Sequence, residues 1–121
     1  MKIIETIKAP GAIGPYSQGY EVNGIVYTSG QIPVNPENGE IAEKIAEQAK
    51  QSCENVSAIL KAAGTGLEKY LNHLLFSGYG DFADFNEVYA KYFVSKPARS
   101  CIAVKTLPKG VLCEIEAIAV K

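Results

Sequence analysis

A one-sided helical stripe constrains this chain more than any other feature of its sequence. Ile41, Ile45, Ala49, Cys53, Val56, Leu60 and Ala63 recur at spacings of three and four, and Gly64 follows as a stop. That interval returns side chains to one side of an α-helix. Glu43, Lys44, Glu47, Lys50, Glu54 and Lys61 occupy the other side and stay in water. A long helix that is apolar along one side only must be covered there by a second layer. A second helix is expected from near Asp81 or Asp84 to a point before Pro97, with Phe82, Phe85, Val88, Tyr89, Tyr92 and Phe93 inward as core.

Short extended runs surround the two helices. Tyr20 to Val22 and Ile25 to Ser29 flank Asn23-Gly24, a pair that accepts the positive φ angles of a two-residue hairpin turn. Asn35-Pro36-Glu37-Asn38-Gly39 is dense in turn formers and reads as a surface loop. At the other end, Arg99 to Lys105 and Val111 to Val120 read as strands joined by a tight turn at Leu107-Pro108-Lys109-Gly110. The order strand, strand, helix, strand, helix, strand, strand predicts an α+β fold, a single sheet with both helices packed on one face. The other face has no third layer. Ile102, Val104, Ile115 and Ala117 are expected on one side of the last two strands and Ile118 and Val120 on the other, so self-association would bury whatever apolar surface stays open.

With 121 residues, 47% hydrophobic and 21% charged, the chain suits one domain, 1–121, with one core. A net charge of −1 and a pI near 5.8 disfavour nucleic acid as a partner. The charged N-terminus does not read as a signal peptide, and no apolar run approaches the roughly 20 residues of a membrane span, so no membrane association and a cytoplasmic location are expected. Cys53, Cys101 and Cys113 are widely spaced and suggest reduced thiols, with neither a disulfide framework nor a metal site. The single histidine, His73, reads as a surface or half-buried residue and leaves no Ser-His or Cys-His pair.

Three segments carry a more specific signal: Gly14-Pro15-Tyr16-Ser17-Gln18-Gly19, Thr28-Ser29-Gly30-Gln31-Ile32-Pro33, and Lys96-Pro97-Ala98-Arg99-Ser100-Cys101 continuing to Cys113-Glu114-Ile115-Glu116-Ala117-Ile118-Ala119. In order and spacing they resemble the reactive intermediate deaminase (Rid) family, in its imine/enamine deaminase branch. The resemblance implies a chorismate-mutase-like fold and a homotrimer with clefts between subunits. It also implies hydrolysis of 2-iminopropanoate or 2-iminobutanoate to the 2-keto acid and ammonia, with no cofactor. By the same pattern Arg99 binds the substrate carboxylate, Tyr16, Ser29 and Asn86 shape the pocket, and Cys101 and Glu114 help hold the attacking water.

The chemistry of a 2-imino acid agrees with that assignment. Its carbon is already electrophilic once the nitrogen is protonated, so a site need only fix the carboxylate, admit water and manage a proton. Arg99 can fork two hydrogen bonds onto a carboxylate, Glu114 can orient or deprotonate water, and the Cys101 carbonyl can accept a further bond. If Pro108-Lys109 close a hairpin, Arg99 lies opposite Ile118, Ala103 lies opposite Glu114, and Arg99, Cys101, Glu114 and Glu116 share one face. Glu114 would then sit about 14 Å from Arg99 along the ladder, and a neighbouring subunit would have to complete the cleft. Two rivals stand beside it: a non-catalytic trimer binding small carboxylates or keto acids, which the same Arg99 would serve, and an RNA-directed translation inhibitor or endoribonuclease, which the charge and the lack of an acid/base or metal cluster disfavour.

One stretch departs from the family pattern. Tyr70 to Gly80 replaces a strand resembling V-V-K-T-T-C-F-L-x-D-M-x and is one residue shorter. Back-translated codons for Asn72 to Gly80, shifted by one base, read T-T-C-F-S-R-D-M, as a compensated pair of frameshifts would leave them. A residue lost within a strand reverses the facing of all that follows unless a bulge or loop absorbs it. Gly78 and Gly80 are placed to do so.

Overall fold

The computed structural model describes residues 1–68, 70–78 and 80–121, and only the backbone of Tyr70, Leu71, Asn72, His73 and Leu75. Six strands, β1 (Lys2–Ile4), β2 (Gly19–Val22), β3 (Ile25–Thr28), β4 (Tyr70–Phe76), β5 (Arg99–Ala103) and β6 (Cys113–Val120), form one sheet in the order β1-β2-β3-β6-β4-β5. The helices are α1 (Ile45–Ala62) and α2 (Phe82–Tyr92). All pairings are antiparallel except β4 with β5, so the sheet is mixed.

Local chemistry accounts for the elements that the sequence predicts. Asn23 and Gly24 take φ angles of 51° and 75°, the paired positive values that match a hairpin's twist. Helix α1 ends in a Schellman turn: Gly64 has φ 83°, its N–H donates to Lys61 O at 3.0 Å, and the Thr65 N–H donates to Leu60 O at 3.0 Å. Ile41 falls outside the helix and bridges Val34 instead, so the stripe begins at Ile45. The buried stripe of α1 meets Cys113, Ile115, Ala117 and Ala119 of β6. Helix α2 packs on the same face through Phe85, Tyr89 and Phe93, with the Phe85 ring edge-on to Phe76 at 4.7 Å.

Polar side chains stitch these layers together. The buried Asn55 amide donates to Ile32 O at 3.2 Å and Val34 O at 3.0 Å. Gln48 donates to Ala42 O and accepts the Leu112 N–H, both at 2.8 Å. Gln18 donates to Thr6 O at 2.9 Å, Ala9 O at 3.1 Å and Pro10 O at 2.8 Å, and accepts the Thr6 N–H at 2.7 Å. Each amide satisfies loop backbone that burial would otherwise strand.

The expected C-terminal hairpin does not form. The turn is present, a 3₁₀ turn over Pro108–Gly110, but β4 lies between β5 and β6. Arg99 pairs in register with Asn72 and through it lines up with Ala117, whereas Glu114 lines up with Leu75 and Ile102. Residues directly paired across strands point to the same face. Arg99 and Cys101 therefore share the helix-covered face with Ile115 and Ala117, and Glu114 and Glu116 lie on the open face with Ile102. The single polar face drawn from the hairpin register is overturned, as is the grouping of Ile102 with Ile115. That open face carries an apolar row, in which Ile3, Tyr20, Tyr27 and Ile118 pair in succession across four strands.

Candidate functional site

The residues singled out in the sequence fall into two groups on opposite faces of the sheet. The first centres on Glu114, half-buried on β6. Beside it, Gln31 and Ile115 exchange backbone hydrogen bonds at 2.7 and 3.2 Å, which brings Gly30 against Glu114 so closely that a Cβ at position 30 would overlap the carboxylate. Burial, and then the like charge of Glu116, raise the proton affinity of Glu114 above that of an ordinary glutamate. Gly30 also borders a pocket of about 230 Å³ that includes Ile13, Tyr16, Gln31, Ile32 and Lys109. Ser29 anchors the loop carrying Tyr16: its hydroxyl donates to Ser17 O at 2.6 Å, and its N–H donates to Gln18 O at 2.9 Å. Tyr16 itself is exposed, and its hydroxyl accepts the Ile13 N–H at 3.4 Å.

The second group lies where α2 meets the edge strand β5. Arg99 is exposed and has no ion-pair partner among the described residues, and its guanidinium lies over the rings of Tyr89 at 4.9 Å and Phe82 at 5.7 Å. With Asn86, Tyr89, Phe93, Lys96 and Pro97 it lines a shallow groove of about 270 Å³. Cys101, two residues along β5, packs partly against the core. Burial raises its thiol pKa and Arg99 only partly offsets that, which makes a resident thiolate nucleophile a poor description of it.

The structure therefore places Tyr16 on the pocket that Gly30 borders, with Ser29 beside Gly30 and Glu114 resting against it, and separately puts Arg99 and Asn86 on one groove, with Cys101 two residues along β5. Gly30, the backbone seat of Glu114, was not singled out from the sequence although it stands inside a quoted motif. Among the described residues no group of three His, Cys, Asp or Glu side chains is placed to hold a metal ion, and no helix is long and apolar enough to cross a membrane. His73 and the amide of Asn72 lie outside the described side chains.

A mixed sheet covered on one face by two helices, with an exposed cation at one edge and a seated carboxylate on the open face, defines a small α+β protein. The chain belongs to the endoribonuclease L-PSP family, whose profile matches residues 6–121. The 2-iminobutanoate/2-iminopropanoate deaminase of Salmonella typhimurium is 48% identical over 99% of this chain and 98% of its own length. The deaminase of the same name from Escherichia coli K12 is 47% identical over the same shares. Among solved structures, E. coli TdcF with bound serine superposes with a TM-score of 0.97 at 49% identity, covering 100% of this chain and 99% of TdcF. The resemblance read in the motifs is thereby borne out.

Proposed function

We propose that this protein is a hydrolytic deaminase that converts reactive 2-imino and enamine acids, chiefly 2-iminopropanoate and 2-iminobutanoate, to 2-keto acids and ammonia. The observation that carries the reading is the end-to-end likeness to two relatives named 2-iminobutanoate/2-iminopropanoate deaminase. Arg99 holds the substrate carboxylate and Asn86 borders the same groove. Tyr16 packs on the substrate, and Ser29 keeps the Tyr16 loop in place. Water attacks C2 of the protonated imine while the Glu114 carboxylate takes a proton from the water. The resulting carbinolamine receives that proton on nitrogen; as the C–N bond breaks, Glu114 takes the hydroxyl proton, leaving the ketone, and passes it to the departing ammonia as ammonium. A carboxyl whose burial raises its proton affinity suits both halves of that transfer. Cys101 contributes its backbone carbonyl as an acceptor for the water. No metal or other cofactor is needed, since the imine is electrophilic on its own.

The two groups occupy opposite faces of one sheet, which supports a homotrimer in which Arg99 of one subunit faces Glu114 of the next. The exposed row on the open face, Ile3, Tyr20 and Tyr27 among it, supplies apolar surface for such an assembly. In this reading the whole chain, 1–121, acts as one domain of the chorismate-mutase-like type in the cytoplasm. The balanced charge favours a small-molecule substrate over RNA.

The test generates 2-aminoacrylate in place with a serine dehydratase, traps surviving imine with semicarbazide, and follows its loss. Faster loss with the protein, absent with Arg99→Ala, is the expected result. No acceleration by the folded protein would refute the deaminase and leave a carboxylate-binding assembly.

A further inference from the structure

We infer that Tyr89 is a positioning residue for Arg99: its ring is a platform that holds the guanidinium with its N–H fork turned to the groove. This rests on the reading of Arg99 as the carboxylate holder. Arg99 sits on an edge strand, exposed, with no carboxylate partner among the described residues. A long side chain in that setting ordinarily samples many rotamers and loses that freedom on binding. Here the guanidinium lies 4.9 Å from the Tyr89 ring centre and 5.7 Å from that of Phe82.

A cation at that range is attracted by the ring quadrupole. Stacking uses the flat face of a guanidinium and spares its edge, where the donors that match a carboxylate lie. An acidic side chain would fix Arg99 as well but would compete with the substrate for those donors. The ring orders the cation without that competition.

The platform is itself rigid. Tyr89 is 7% exposed, stacks on Phe85 at 5.7 Å and packs against Phe93 at 4.3 Å. Phe82 lies against Phe76 at 5.8 Å. The spacing of Phe82, Phe85, Tyr89 and Phe93 thus builds more than a core stripe: one end of the aromatic column emerges beneath the arginine. Asn86 borders the same groove, so α2 supplies both the platform and an amide for the ligand.

Tyr89→Leu removes the π-face and keeps an apolar side chain, Tyr89→Phe keeps the face, and Phe82→Leu weakens the platform at a half-buried position. With the imine assay, KM is expected to rise about threefold to tenfold in Tyr89→Leu with kcat within about twofold, and to stay near wild type in Tyr89→Phe. Proton NMR gives a reading independent of turnover. The Arg99 side-chain signals, identified by their loss in Arg99→Lys, should be shifted upfield by the ring in wild type and Tyr89→Phe and return toward ordinary values in Tyr89→Leu. If Tyr89→Leu does not fold, Phe82→Leu decides by the same two readings.

Unchanged KM in the leucine variants, a fall in kcat alone, or no upfield shift in wild type would overturn the platform. Upfield signals in a wild-type protein that hydrolyses no imine would sink the deaminase and leave the platform standing. Imine hydrolysis with unaltered KM in folded leucine variants would do the reverse.

Discussion

The Glu114 and Arg99 regions are built to opposite specifications. Glu114 sits on β6, which is paired on both sides; its neighbour Ile115 is locked to Gln31 by two backbone hydrogen bonds, and its carboxylate rests against Gly30. Arg99 starts an edge strand, and among the described residues its guanidinium is steadied by aromatic rings alone. A group that must handle water and a proton gains from a fixed, partly desolvated seat. A group that must meet a charged ligand gains from exposure, which keeps its own charge inexpensive until the ligand arrives.

The contrast is most easily broken at Gly30. Gly30→Ala should displace the Glu114 carboxylate and lower kcat/KM about a hundredfold, the scale of an ångström-sized misplacement, while carboxylate binding at Arg99 persists. Steady-state kinetics beside a titration with a keto acid would check this, and equal losses in both would show the regions to be one. A smaller effect concerns protons. Glu114 holds its proton to higher pH than an ordinary glutamate, through burial first and Glu116 second. If its carboxylate is the working form, kcat/KM falls as pH drops, beginning above the usual glutamate range. Glu116→Gln removes the like charge, so the acid limb should move to lower pH. A limb that does not move would assign it to another group. The smallest effect is expected at Cys101: its thiol pKa is raised, so Cys101→Ser should leave kcat/KM within about threefold, and a large loss would place the thiol in the chemistry.

The sequence carried the parts of this structure that are written locally. Asn23-Gly24, the α1 stripe with its Gly64 stop, and the α2 aromatics each hold their geometry within a few neighbouring residues, and each formed. The failure lay between β5 and β6. Period-two alternation tells which residues of one strand share a face, but it does not tie one strand's parity to another's. Only the pairing does so, and β4 enters between them by a connection that neither strand encodes. The division of Arg99 from Glu114 was therefore hidden, although both residues were legible as candidates. Gln48 and Asn55 were also readable as polar residues beside an apolar stripe, but the carbonyls they meet are distant in sequence. The three residues of β1 are too few to show a period.

Gln18 has a mechanical consequence. Its carboxamide grips Thr6, Ala9 and Pro10, and Ser29 holds the carbonyls of Ser17 and Gln18, so the chain from residue 10 to residue 17 is fastened at both ends, like a handle on two rivets. A pull on Tyr16 is therefore taken up at Gln18 and Ser29 before it reaches the register of β2 with β3.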